Sequence, residues 1–523
     1  MKVRSTTIFF SSVMILLFHS CNKKEIPIHN ISSRQYKILE NLDSIYLIAQ
    51  QVYLWNDQLP AIDRFNPKQF FTSNTNEIHL YRNEIFHLTR YPKNNTNKLQ
   101  YEYNPFHPYL AKYSSIISRI PSINENDDNL NYNLSNPFGI SIVIENNVIR
   151  LLYVDLNSPA GKAGLTRGMQ VISVNSETIN SEQSFVKQLT SAKNISYIKL
   201  EVLDLNQKKR EVRLNAALYE ENPVVKKAVI VKSNTKIGYI AYNNFTIEGN
   251  SKKYLEQAFL AFEQAKVSEL IVDLRYNQGG YQASVNFLAN LIAPISINNK
   301  VMYTEHYNHV MQNGKAEILK HQRLLDEYGE PAFIEGDPVT LFDIDYSVGA
   351  NTVYFNKESG LKQLKKINFI VSDMTASASE LLINVLKPHI DTRIIGVSKS
   401  GQAEVYTYGK PIGFFGIRVD QYDLFLSMYL LKNSRNEGNY FEGIKADYSV
   451  IDDTRSDFGS KEDPAIALIL KENIQDKKSN NYQSQTDDHK KNHSSYYFND
   501  DHLKGNIKTT KDLKIKKYNL KFN

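Results

Sequence analysis

From Lys236 to Val397 the chain alternates short apolar runs of strand length with longer stretches whose apolar residues recur at helical spacing. The pattern predicts strands at Ile237–Ala241, Glu269–Leu274, Ile367–Val371 and Arg393–Val397, and helices at Ser251–Ala265, Ala283–Ile292 and Ser379–Leu386. Such alternation specifies an α/β core. Residues 296–352 interrupt it with a long polar insertion. His306 and His309 in that insertion form H-x-x-H with no third ligand nearby, so they read as a solvated pair.

Two loops of this core carry chemistry. Thr375–Glu380 reads T-A-S-A-S-E directly after an apolar strand and opens a helix. A small-residue turn at that junction exposes a serine hydroxyl beside backbone N–H groups that have no helical partner, as a serine nucleophile requires. The same letters, Ser377 with Glu380, also spell the S-x-x-E capping box of an ordinary helix. Asp273–Gly280, D-L-R-Y-N-Q-G-G, ends a buried strand in a glycine-rich loop. Its glycines let a backbone N–H from Gly279 or Gly280 approach a developing oxyanion, with the N–H of Ala378 as second donor.

The ends of the chain bound its setting. Lys2 and Arg4 precede an apolar run from Ile8 to Phe18, followed by His19-Ser20-Cys21. This layout predicts a secretory signal over residues 1–21 and an exported protein. Cys21, the only cysteine in 523 residues, falls where a bacterial lipoprotein signal places its lipidated cysteine, so the predicted location is periplasm, outer membrane or cell surface. A lone cysteine excludes an intramolecular disulfide, and the fold must rest on its core. The net charge of +6 suggests nucleic acid only until it is mapped: residues 471–523 hold 12 lysines against 7 acids, leaving the body near neutral. That polar tail is expected to be disordered. G-x-S-x-G elbows, P-loops and C-x-x-C motifs are absent from the sequence.

Residues 32–120 read as a mainly helical N-terminal region. Residues 137–216 change to short strands, a brief helix at N-S-P-A-G-K-A-G-L, and a turn before Val171–Asn175; this segment resembles a PDZ domain. In such a domain the loop Phe138-Gly139-Ile140 holds a peptide carboxylate on its N–H groups while the adjoining strand edge pairs with the peptide.

The order PDZ-like segment, D-L-R-Y-N-Q-G-G, T-A-S-A-S-E resembles the C-terminal-processing (tail-specific) serine peptidases over residues 137–295 and 365–455. The resemblance implies a crotonase- or ClpP-like α/β peptidase core over 217–470 with an inserted β-rich PDZ domain. It implies Ser377 as nucleophile, a lysine as general base, polypeptide substrates with free C-termini, and no metal or nucleotide cofactor. The family's lysine stands in T-x-G-K, which here is Thr407–Lys410, displaced by the longer connection Ser398–Tyr406; Lys399 is the alternative. Tyr408, Phe414 and Phe415 are the expected apolar neighbours that favour a neutral amine. Phe414 also stands where many members carry a glutamine that orients the lysine. The chain is thus read as an exported, lipid-anchored Ser-Lys endopeptidase, the alternative being an inactive homologue that binds peptides or apolar ligands.

Overall fold

The computed structural model describes residues 32–471, apart from 96, 106, 120–135, 146–147, 180–183, 185–195 and 326–330, together with Asn506 and Ile507. The signal segment with Cys21, the helix expected near Ser181–Thr190 save Ser184, and most of the tail lie outside these residues.

A six-stranded sheet forms the core, in the order Val224–Lys232, Thr235–Tyr242, Glu269–Asp273, Lys366–Val371, Asp391–Ser398, Tyr448–Ile451. All neighbours run parallel except the first strand, which is antiparallel to the second. Strands buried on both faces read as continuous apolar runs, and Phe369-Ile370-Val371 and Leu270-Ile271-Val272 do so. Their side chains divide by alternation. Leu270, Val272, Phe369 and Val371 pack toward the helices Glu248–Ala265, Gln282–Ile292 and Ala378–Leu386. Ile271, Ile370 and Ile395 face Phe458 and Ile466 on the other side. The helix Ala378–Leu386 is buried at every residue, so it cannot be a surface amphipath and is fixed by packing all round.

A second, mixed sheet runs Gly280–Tyr281, Asn506–Ile507, Ile412–Phe414, Tyr429–Asn433, Val301–Tyr307, Thr352–Tyr354. Two expectations change here. The segment 296–352 is not simply a polar excursion: Val301–Tyr307 lies inside this sheet with Met302, Tyr303 and Tyr307 buried. Within the tail expected to be solvated, Asn506 and Ile507 form a strand of the same sheet.

Residues 140–215 form a separate antiparallel unit, ordered Ile140–Glu145, Val148–Val154, Gln170–Val174, Tyr197–Leu203, Lys209–Asn215, around its own apolar cluster. Val143 and Leu152 point out of that cluster and pack on the core sheet. In the N-terminal region, the helices Ser33–Val52 and Glu77–Leu88 share the main apolar cluster, and Ser115–Ser118 pairs with Tyr422–Phe425.

Candidate active site

The site forms where Glu269–Asp273 and Lys366–Val371 end side by side, the edge at which open parallel sheets place their functional loops. The first loop is held by charge. Arg275, 1% exposed, binds Asp273 through Nη2 at 2.8 Å, and its Nη1 binds Asp452 at 3.0 Å and Asp463 at 2.9 Å. Asp452 also receives Arg167 from the antiparallel unit at 2.9 Å and the Tyr276 hydroxyl. These groups are buried but mutually paired, which offsets their desolvation. Beyond them Asn277 Nδ2 donates to Tyr242 O at 2.8 Å, and Asn277 Oδ1 accepts the Gly279 N–H at 2.9 Å. Gly279 has φ +110, and a Cβ built on it would lie 2.9 Å from Ser377 Cβ. Only glycine permits that approach.

Ser377 closes the second loop with φ 57 and ψ −110, outside the regions open to L-residues. Three hydrogen bonds impose this backbone. Thr375 Oγ1 donates to Leu274 O at 2.8 Å, Ala376 N–H to Asn277 O at 3.1 Å, and Ser379 Oγ to Asn277 O at 3.0 Å. Ser377 is 0% exposed, and its Oγ has no hydrogen-bond partner. Strain and an unsatisfied hydroxyl at one residue each cost about 1–3 kcal/mol and point to function. Both Ser377→Gly and Ser377→Ala remove the hydroxyl, but only glycine relaxes the backbone. The glycine variant is expected to be about 1 kcal/mol more stable than the alanine variant in thermal denaturation; equal stability would mean the backbone is not strained.

Glu380 joins this loop to the next. Its Oε2 accepts the N–H of Ser377 at 2.7 Å and of Lys410 at 2.8 Å. Its Oε1 accepts the Gly409 N–H at 2.7 Å and the Thr407 hydroxyl. Thr407 Oγ1 receives Ile444 N–H at 2.7 Å, so its own hydrogen is directed to Glu380. Four donors suit an ionised carboxylate, although burial pushes the Glu380 carboxyl up from its ordinary value. Tyr408 N–H adds a bond to Thr375 O at 2.9 Å.

Lys410 is buried, 3% exposed, with its ammonium 4.8 Å from the Phe414 ring centroid. Burial holds its pKa down at about 8; Glu102 and Glu380 pull it up, while Lys112 pushes it down. Of the other expected neighbours, Tyr408 lies under Lys112 at 5.0 Å, and Phe415 stacks on Tyr346. Sequence reasoning assigns only scaffolding to the N-terminal region, yet that region supplies part of this environment. Glu102 is 0% exposed and accepts Tyr53 Oη, the N–H groups of Tyr113 and Ser114, and the hydroxyls of Ser114 and Ser427. The Tyr113 hydroxyl donates to Gly409 O at 2.5 Å, and Lys112 Nζ to Phe441 O at 2.7 Å. No local motif announces the contacts to Ser427, Gly409 and Phe441, which cross 325, 296 and 329 residues of chain.

The remaining candidates lie apart. Lys399, also lowered to about 8 by burial, has Glu145, Asp452, Asp373 and Arg167 as its charged neighbours. Ala378 begins the helix after Ser377, where N–H groups have no intrahelical acceptor. In the antiparallel unit Phe138 is buried, and Gly139 takes φ +73. The N–H groups of Gly139 and Ile140 both donate to Asn136 Oδ1, at 2.8 and 3.1 Å, so a peptide carboxylate there would have to replace that side chain. His306 Nε2 pairs with Thr304 Oγ1 at 2.8 Å and His309 Nδ1 with Asn313 at 3.1 Å; among the described residues no group of three His, Cys, Asp or Glu side chains is placed to hold a metal. No helix among them is long and apolar enough to cross a membrane.

A parallel α/β core with a strained serine at a strand–turn–helix junction is an arrangement that a serine nucleophile can use. Residues 236–450 match the model of peptidase family S41, whose members are serine peptidases. No curated protein matches the chain. Among solved structures, a Bacteroides fragilis protein assigned to the S41 proteases is 19% identical, with TM-score 0.52 over 82% of this chain and 96% of that one. The photosystem II D1 C-terminal processing protease is 13% identical, with TM-score 0.41 over 84% and 98%. The first of these likenesses supports a shared fold.

Proposed function

We propose that this chain is an exported Ser-Lys endopeptidase, anchored by a lipid on Cys21, that cleaves envelope or exported polypeptides. The observation that carries the reading is the Glu380 carboxylate, which draws the backbones of Ser377 and Lys410 onto a single oxygen. Neutral Lys410 takes the Ser377 proton as Oγ bonds to the scissile carbonyl carbon. The resulting ammonium then protonates the departing amine, and water, activated by the same lysine, hydrolyses the acyl-enzyme. The oxyanion is assigned to the N–H groups of Ala378 and of Gly279 or Gly280; at Gly279, Asn277 Oδ1 must first release its bond. Lys399 has Glu145, Asp452, Asp373 and Arg167 around it, whereas the Lys410 backbone shares a Glu380 oxygen with Ser377, which favours Lys410.

The antiparallel unit is read as a crotonase-core peptidase's PDZ domain. Ile140–Glu145 is its terminal strand, paired on one edge with Val148–Val154, and the other edge suits an added peptide strand.

The test incubates residues 22–523 with an unfolded protein alongside Ser377→Ala, Lys410→Ala and Lys399→Ala. Cleavage should vanish in the first two and persist in the third; persistence in Lys410→Ala sinks the assignment. The pH profile is a further prediction. The base works only when neutral, so kcat/KM should rise with pH and level off above about 8. A profile flat from pH 6 to 9 would exclude a lysine base of this kind.

A further inference from the structure

Asn506 and Ile507 fill a gap one strand wide beside the site. Asn506 stands opposite Gly280 on one side and Gly413 on the other; Ile507 stands opposite Tyr281 and Phe414. With strands about 4.8 Å apart, the two walls lie about 9.5 Å from each other, and without the tail both lose their partner along this gap. The walls begin at the two candidate catalytic residues. One leaves Gly279, which packs on Ser377; the other leaves Lys410 by way of Pro411. Glycine is required on both walls, since a Cβ would meet Phe245 O at 2.1 Å from Gly280 and the Tyr429 ring at 2.3 Å from Gly413.

We infer that this gap is an extended-peptide slot and that the chain's own Asn506–Ile507 strand occupies it as an intramolecular inhibitor. Pairing is parallel to both walls, and both walls run away from Ser377 and Lys410. A substrate lying with the same polarity therefore places here the residues C-terminal to its scissile bond. Reach is no obstacle: the 34 residues between Lys471 and Asn506 extend to about 110 Å, roughly twice the diameter of a body this size. Ser377 is fully buried in the same structure. The inhibitory consequence rests on the peptidase reading; occupation of the slot does not.

The test uses the full chain and a variant carrying Asn506→Pro and Ile507→Pro, which removes two backbone donors from the tail strand and changes no residue of the core. A fluorescent peptide of residues 500–515 is titrated into each and followed by anisotropy. The proline variant is expected to bind at least tenfold more tightly than the unmodified chain, and to hydrolyse an unfolded protein at least tenfold faster, with the peptide competing. Equal peptide affinity, or no saturable binding to the variant, overturns occupation of the slot. Equal hydrolysis by two active proteins overturns inhibition. If neither protein hydrolyses anything, the peptidase reading fails and anisotropy still decides the slot. A tenfold difference that disappears on dilution would assign the tail to a neighbouring copy and overturn the intramolecular contact.

Discussion

Lys410→Met is expected to abolish hydrolysis while making the protein more stable. Loss of the base should lower kcat/KM on the order of 10^3-fold or more, with little change in KM, because the amine acts on the reacting proton. Stability moves the other way. Burial lowers the lysine pKa from 10.5 to about 8, so at pH 7 the folded state carries an ammonium that water would solvate better. The folded value lies below the unfolded one; the penalty is therefore complete below about 8 and is lost as pH rises from there toward 10.5. Methionine keeps the length without the charge and should gain on the order of 3 kcal/mol at pH 7, a rise in Tm of several degrees that fades in alkaline buffer. Paired activity assays and thermal melts at pH 7 and pH 10 check this. Unchanged Tm at pH 7 would show that the amine is not desolvated.

Glu380→Gln should damage both properties. An amide offers one acceptor oxygen where the carboxylate offers two. Either Ser377 and Lys410 or Thr407 and Gly409 would then face an NH2 group and lose their acceptor. Leaving buried donors unpaired at a charged hub should cost about 3–5 kcal/mol. Misplacing the two loops by about 1 Å should lower kcat on the order of 10^2-fold. Removing the charge also withdraws one of the two carboxylates that raise the Lys410 pKa, so the surviving activity should shift its pH profile to the acid side. Denaturant titration and the pH profile read these separately. A stability loss with no shift in the profile would leave Glu380 a purely structural capping residue.

The reach of each interaction decides how much of the molecule is legible in the sequence. Apolar periodicity is a local signal, so the expected strand Ile367–Val371 is found as Lys366–Val371, and the expected helix Ser379–Leu386 as Ala378–Leu386. The turn at Ser377 is also visible, but its S-x-x-E pattern is the same whether Glu380 caps a helix or also gathers a distant loop. Only the fold brings Thr407, Gly409 and Lys410 to that carboxylate. Lys410 is singled out in the sequence by T-x-G-K, and the fold brings its N–H onto the same Glu380 oxygen as that of Ser377. Glu102 and Tyr113 carry no such marker, and their relation to Gly409 and Lys410 exists only after the N-terminal region has packed. At Gly139 and Ile140 the glycine turn is readable, whereas the Asn136 side chain that takes both N–H groups is not.

The charge cluster around Arg275 bears on the order in which the site can come into being. Asp452 is the shared counter-ion of Arg167 and Arg275, Asp463 is a further partner of Arg275, and both lie far downstream of the two arginines. A nascent chain that has exposed Ser377 and the glycine loop still lacks these two anions; Arg167 is then without its carboxylate and Arg275 holds only Asp273, so two guanidiniums face one anion and Gly279 has no fixed place against the serine. Synthesis from one end thus makes the formed site one of the last things the chain acquires, and an unfinished or broken copy carries the motif without the geometry.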